Sequence, residues 1–178
     1  NNYLLRSSAF KASRVVTFSE FSKKLVVKGL GKKRAKNVGV IPPGVDPSWF
    51  DVTRQVEGSK DLVFWGRMEN EKGISELLRT MKEVLGRIPD VRLHLIGEGN
   101  MTESYRSQAQ ELMVLDNVVF HGRMDMDAIQ KLINKCAMGV FPSRIESFGL
   151  SMAEAMAAGL PIIANRVGAL PEFIEDGV

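Results

Sequence analysis

From about residue 60 onward this sequence predicts a doubly wound α/β domain built on a parallel sheet. Three observations carry the prediction: short apolar runs alternate with stretches of helical periodicity, five such runs can be counted, and composition is that of a globular chain, 44% hydrophobic and 25% charged. The first strand is Leu62 to Trp65. A helix follows in which Ile74, Leu77, Leu78, Met81 and Leu85 recur at helical spacing, until Ile88 and Pro89 end it. Val91 to Ile96 is the second strand, and a helix from about Glu103 to Leu115 leads to the third, Val118 to Phe120. A helix carrying Ile129, Leu132 and Ile133 precedes the fourth strand, Met138 to Phe141. The fifth is Pro161 to Ala164, with a helix bearing Glu154 before it and a short helical piece around Pro171 to Ile174 after it.

The first forty residues belong to a different α/β unit: Arg14 to Phe18 reads as a strand, Ser19 to Gly29 as a helix with Ser19 as its cap, and Val38 to Ile41 as another strand. Residues 1–46 are therefore expected to be the end of one domain and a hinge, and the turn-rich stretch Pro42 to Pro47 stiffens that hinge. Residues 47–60 read as a polar linker and 61–178 as a second domain. The final Asp176, Gly177 and Val178 read as a turn leading onward, so the second domain is expected to be truncated at its end, as the first is at its start.

No uninterrupted apolar run reaches membrane-spanning length, and the N-terminus lacks the pattern of a signal peptide, which makes a cytoplasmic location the default. Cys136 is the single cysteine and reads as a buried thiol. The net charge of +3 is unevenly spread, with Lys23, Lys24, Lys28, Lys32, Lys33, Arg34 and Lys36 in one segment. That segment has no aromatic stacking platform, which argues against nucleic acid and leaves a peripheral contact with an anionic membrane, or simply a solvated helix and turn.

Ligands of open parallel sheets lie outside the carboxyl ends of the strands, so the loops after the strands hold the candidate site. After the first strand come Gly66 and Arg67, with Lys72 and Gly73 opening the helix; two cations near a helix N-terminus suit a diphosphate. Gly97, Glu98 and Gly99 follow the second strand. They resemble the dinucleotide fingerprint only in part, since Thr102 holds the place of its third glycine, and a nicotinamide enzyme is not expected. Phe141 to Ala164, FPSRIESFGLSMAEAMAAGLPIIA, sets Glu146 and Glu154 around a helix start formed by Phe148, Gly149 and Leu150. Amides without partners in the first turn attract an anion, and carboxylates beside a diphosphate are better aimed at neutral hydroxyls, which together suggest a nucleotide-sugar pocket. Asp125 and Asp127 imitate a metal-binding pair, but read as the N-cap and a first-turn acid of a helix. His94 and His121 have no ligand partner at metal-site spacing.

The segments GVDPSWF, FWGRMENEKG, LHLIGEGN, NVVFHGRM, FPSRIESFGLSMAEAMAAGLPIIA and VGALPEFIEDGV, in this order over nearly all of residues 38 to 178, resemble the retaining glycosyltransferases of group one, or family four, with the GT-B fold. The resemblance implies a Rossmann-like C-terminal domain holding a nucleoside-diphosphate sugar, and a sugar, glycan or lipid-linked acceptor held by the other domain. It implies that Arg67 and Lys72 neutralise the diphosphate and that Phe148, Gly149 and Leu150 offer it amides. Glu154 would hold the ribose, Glu146 would contact the transferred sugar, and Gly97, Arg123 and Met124 would border the donor. It further implies hexosyl transfer with no metal or other cofactor, and a fragment that binds donor without transferring sugar. Pro43 and Ala169 depart from the family pattern, at the hinge and at the last donor-side loop. A nucleotide-sugar binding module without turnover, and another GT-B enzyme such as a sugar-nucleotide epimerase, remain alternatives.

Overall fold

The computed structural model describes residues 11–30 and 36–177; Lys32, Lys33 and Arg34 of the basic run lie outside the described residues. The chain forms two compact units. One comprises residues up to 44, 146–149 and those from 166 onward, and the other residues 45–145 and 150–165.

In the first unit, strand β1 (Val15–Thr17) pairs in parallel with β2 (Val38–Val40), with helix α1 (Glu20–Leu30) between them. Ser19 caps α1 as expected, its Oγ accepting from the Ser22 N–H at 3.1 Å. A second cap comes from the far end of the chain. The carboxylate of Glu172, in a 3-10 turn at Leu170–Glu172, accepts from the N–H groups of Glu20 and Phe21 at 2.9 and 2.7 Å. Two orphan amides and the positive end of the helix dipole are thereby satisfied by one acid.

The larger unit holds a five-stranded, wholly parallel sheet in the order β5-β4-β3-β6-β7. Its strands are β3 (Leu62–Trp65), β4 (Leu93–Ile96), β5 (Val118–Gly122), β6 (Met138–Phe141) and β7 (Ile162–Ala164). Helices α2 (Ile74–Leu85), α3 (Thr102–Glu111), α4 (Met126–Ile133) and α5 (Leu150–Ala157) make the connections. The central strands are buried on both faces, which is why LVFW and LHLI read as continuous apolar runs rather than alternating ones. Helix α2 buries Ile74, Leu77, Leu78 and Met81, the residues whose spacing announces it.

Residues 47–60, read from sequence as a linker, are tied down along their length. Asp46 caps a 3-10 turn at Pro47–Asp51 that buries Trp49, whose ring stacks on Trp65 with centroids 6.0 Å apart and planes 7° from parallel. Arg54 donates through Nη1 to the Ile133 carbonyl at 2.9 Å and through Nη2 to that of Cys136 at 2.7 Å. The polar residues that suggest a linker are thus donors serving the carbonyls around the end of α4. Cys136 is buried as expected, and burial pushes its thiol pKa up to about 12.

His94 and His121 touch, a contact that their spacing in the sequence does not record. They lie on adjacent strands with rings stacked at 5.2 Å, His94 Nδ1 sits 2.9 Å from His121 Nε2, and His94 Nε2 sits 3.3 Å from Asp61 Oδ2. Burial, with the neighbouring His94 adding to it, lowers the pKa of His121. Among the described residues no helix is long and apolar enough to cross a membrane.

Candidate functional site

The chain runs outward from β3 through β4 to β5, then returns to place β6 on the other side of β3. The strand order therefore reverses between β3 and β6, and the crevice outside their carboxyl ends is where a ligand is expected. The loops that line it are laced backbone to backbone. Gly66 N–H donates to the Ile96 carbonyl, Met68 N–H to that of Glu98, Gly97 N–H to that of Gly122, and Met101 N–H to that of Met68, at 2.7–3.0 Å. On the other side the Arg144 N–H donates to the Glu71 carbonyl at 2.8 Å, and the Asn165 side-chain amide donates to the carbonyls of Pro142 and Ser143. The Arg144 guanidinium also pairs with Glu76, whose carboxyl is held below the usual range by that partner despite its burial.

Two glycines permit this lacing. A Cβ at Gly97 would sit 1.9 Å from the Gly66 carbonyl oxygen, and one at Gly73 would sit 2.1 Å from that of Pro142; both have positive φ, +125° and +71°. Gly97 thus serves close approach between loops, a reason unrelated to the dinucleotide fingerprint it partly imitates. Gly97→Ala is expected to cost about 2 kcal/mol or more, combining a backbone clash with an unfavourable φ. Thermal unfolding within a degree of the parent would show that the loops part without strain.

Arg67 follows β3 directly after Gly66, with an exposed guanidinium 3.2 Å from Glu71 Oε1. Lys72 ends a 3-10 turn at Asn70–Lys72, and Gly73 then turns the chain into α2. The two cations therefore sit on one short loop at the start of a helix, anchored beneath by Tyr105, whose hydroxyl donates to the Glu69 carbonyl at 3.1 Å. Arg123 and Met124 follow β5; Arg123 is exposed and Met124 partly covered. Asp125 beside them caps α4, accepting the Ala128 N–H at 2.8 Å, which is the structural role its position suggested.

Leu150, 44% exposed, opens α5. Glu154, one turn further on, is half-buried and not a surface acid. Its Oε2 accepts from the indole N–H of Trp65 at 2.8 Å, which sets the carboxylate at the carboxyl end of β3, two residues ahead of Arg67. Burial raises its pKa, and the indole hydrogen bond opposes that rise. The larger unit thus gathers Arg67, Lys72, Gly97, Arg123, Met124, Leu150 and Glu154 on its strand-end loops and α5.

A model of the glycosyl transferases group 1 matches residues 45–178. The chain belongs to that family. An uncharacterized glycosyltransferase of Methanocaldococcus jannaschii, MJ1607, is 33% identical over 96% of this chain and 47% of its own length. A glycogen synthase of Mycobacterium tuberculosis is 32% identical over 79% of this chain and 34% of its own. The chain thus spans half or less of the length of these curated relatives. Among solved structures, Anabaena Alr3699/HepE in complex with UDP-glucose superposes with a TM-score of 0.84 at 23% identity, over 99% of this chain and 51% of that one. The likeness shows the GT-B fold.

In this group 1 chain the remaining candidates, Glu146, Phe148 and Gly149, belong to the smaller unit. Glu146 is 8% exposed and its carbonyl accepts the Ala169 N–H at 3.0 Å; Phe148 stacks on Phe173 at 5.1 Å. The Ser147 carbonyl accepts from the Ser19 hydroxyl at 2.6 Å. Gly149 has φ +98°. Sequence reasoning missed Trp65 altogether, although a buried indole N–H needs an acceptor and so signals one.

Proposed function

We propose that this chain carries the donor site of a retaining, metal-independent hexosyltransferase that uses a nucleoside-diphosphate sugar. The observation that carries the reading is the Glu154 carboxylate fixed by the Trp65 indole at the carboxyl end of β3, where the strand order reverses. A carboxylate there accepts hydrogen bonds from the ribose hydroxyls, while Arg67 and Lys72 meet the diphosphate, one as a fork and the other as a point charge. Leu150 and the residues before it, Phe148 and Gly149, offer backbone amides, and Gly97, Arg123 and Met124 border the donor. Glu146 contacts the transferred sugar. The UDP-glucose bound by the Anabaena protein supports this donor class.

The bond between the anomeric carbon and the diphosphate oxygen breaks with its electron pair going to the leaving group, and cations placed there in advance stabilise the growing charge. The domain reading is proposed with it: 61–178 holds the donor, 1–46 comes from the acceptor side, 47–60 leads from one to the other although it belongs to the larger unit, and the acceptor is a sugar, glycan or lipid-linked hydroxyl. The chain alone binds donor without transferring sugar, since acceptor recognition and cleft closure lie elsewhere. The reaction is cytoplasmic, and the basic run around α1 suits a peripheral contact with anionic lipid.

Calorimetric titration with UDP, GDP, ADP and CDP, with and without a chelator, tests the reading. One of them is expected to bind equally well in both conditions, and Glu154→Ala to weaken it by about 1 to 3 kcal/mol. Unchanged affinity in the folded variant would return Glu154 to a plain helix residue. Binding lost on chelation would restore Asp125 and Asp127 as metal ligands.

A further inference from the structure

We infer that Trp65 is a positioning residue whose indole N–H orients the Glu154 carboxylate and keeps it an acceptor, so that this protein selects ribonucleotide over deoxyribonucleotide donors. The inference rests on the ribose role proposed for Glu154.

Trp65 is 5% exposed, and its ring has no freedom to turn. Trp49 stacks on it at 6.0 Å, and Phe141 meets it edge-on at 5.0 Å with planes 78° apart. Both neighbours are themselves buried, at 2% and 1% exposure, so the direction of the N–H is set by the core and not by the ligand. That N–H ends on Glu154 Oε2 at 2.8 Å.

A glutamate on a helix has three side-chain torsions, and ordering them on binding costs free energy. Here part of that cost is met on folding, because Oε2 is already held by the indole N–H. The same bond opposes the desolvation that burial imposes on the charge. An ionised carboxylate accepts from two hydroxyls, as a ribose diol requires, whereas a protonated one gives up part of that capacity. A phenylalanine would fill much of the same space and stack on the same neighbours, yet do neither job.

The test compares the nucleoside diphosphate bound most tightly among UDP, GDP, ADP and CDP with its 2′,3′-dideoxy form, in the parent chain, Trp65→Phe and Glu154→Ala. Titrations run from about pH 8 to about pH 5. The parent is expected to prefer the ribose form by about tenfold or more, and Glu154→Ala to abolish the preference. Trp65→Phe should lower affinity for the ribose form several-fold, about half or more of the preference on a logarithmic scale, and leave the dideoxy form within about twofold. Binding needs the charged carboxylate and is lost as pH falls through its pKa. Removing a donor that lowers this pKa therefore moves the loss to higher pH in Trp65→Phe.

Should Trp65→Phe fail to fold, β-(3-benzothienyl)alanine at position 65 keeps the bicyclic ring and replaces only the N–H. Full ribose preference and an unmoved pH midpoint in either variant, with the preference lost in Glu154→Ala, would reduce Trp65 to a core residue. A preference that survives Glu154→Ala, or no binding by any of the four, would overturn the ribose reading and this inference with it.

Discussion

Arg67→Ala is expected to lower sugar transfer by about two to three orders of magnitude in an active enzyme carrying this chain, with far less effect on donor binding. The asymmetry follows from when the charge arrives. A bound donor diphosphate already carries negative charge, but more gathers on its bridging oxygen as the glycosidic bond breaks, and a fixed cation gains most at that moment. In the free protein Arg67 is exposed and meets Glu71 in a helical-spacing pair at 3.2 Å, an arrangement that contributes little to stability. The variant should therefore melt with the parent while its turnover collapses. Arg67→Lys should recover only part of the loss, since a point charge does not reproduce the fork. Lys72→Ala is expected to behave alike, and the double variant to lose less than the product of the two singles. Steady-state kinetics that showed a raised KM with turnover intact would remove the leaving-group role from both residues.

The second large effect is on stability. Trp49→Ala should destabilise the larger unit by about 3 to 5 kcal/mol, the range for emptying a buried tryptophan site. Trp49 lies outside every strand and helix of the sheet, in a one-turn segment after the proline-rich stretch, yet it is 2% exposed and lies flat against Trp65. Its loss would leave one face of the Trp65 ring without contacts and free the turn capped by Asp46. Denaturant unfolding followed by the fluorescence of the remaining tryptophan would measure this directly. A cost below about 1 kcal/mol would mean that neighbouring side chains collapse into the space.

Much of the architecture was legible because parallel strands buried on both faces are apolar throughout and the helices between them are amphipathic. LVFW over 62–65 carries that signal, and the structure returns its bounds, and those of MGVF over 138–141, unchanged. The second strand begins at Leu93 and not Val91, since a buried residue before a strand looks the same as one within it. Ser19 was readable as a cap because its partner is three residues away; Glu172 was not, because it reaches the same helix end from the far side of the chain. The same limit hid the Trp65 to Glu154 bond, which spans 89 positions, and the contact between His94 and His121. The candidate site was legible as residue types in loops after strands. Which of them face each other was not, for no local pattern records a contact between distant loops. Gly97 shows the converse, a glycine whose sequence context imitates one motif while its cause is a neighbouring carbonyl.

Cys136 gives the larger unit an internal clock. Its sulfur is buried, donates to the Leu132 carbonyl at 3.4 Å, and ionises only near pH 12, so in the closed state it offers almost no thiolate to an alkylating reagent. Reaction must wait until the segment after α4 opens, and at neutral pH the labelling rate then counts openings of that segment alone. Because Arg54 binds the carbonyls of Ile133 and Cys136, the count reports whether the stretch before the sheet is still fastened to it. A ligand held by the strand-end loops that steadied the whole sheet would slow the clock; one that left the amino end of β6 untouched would not.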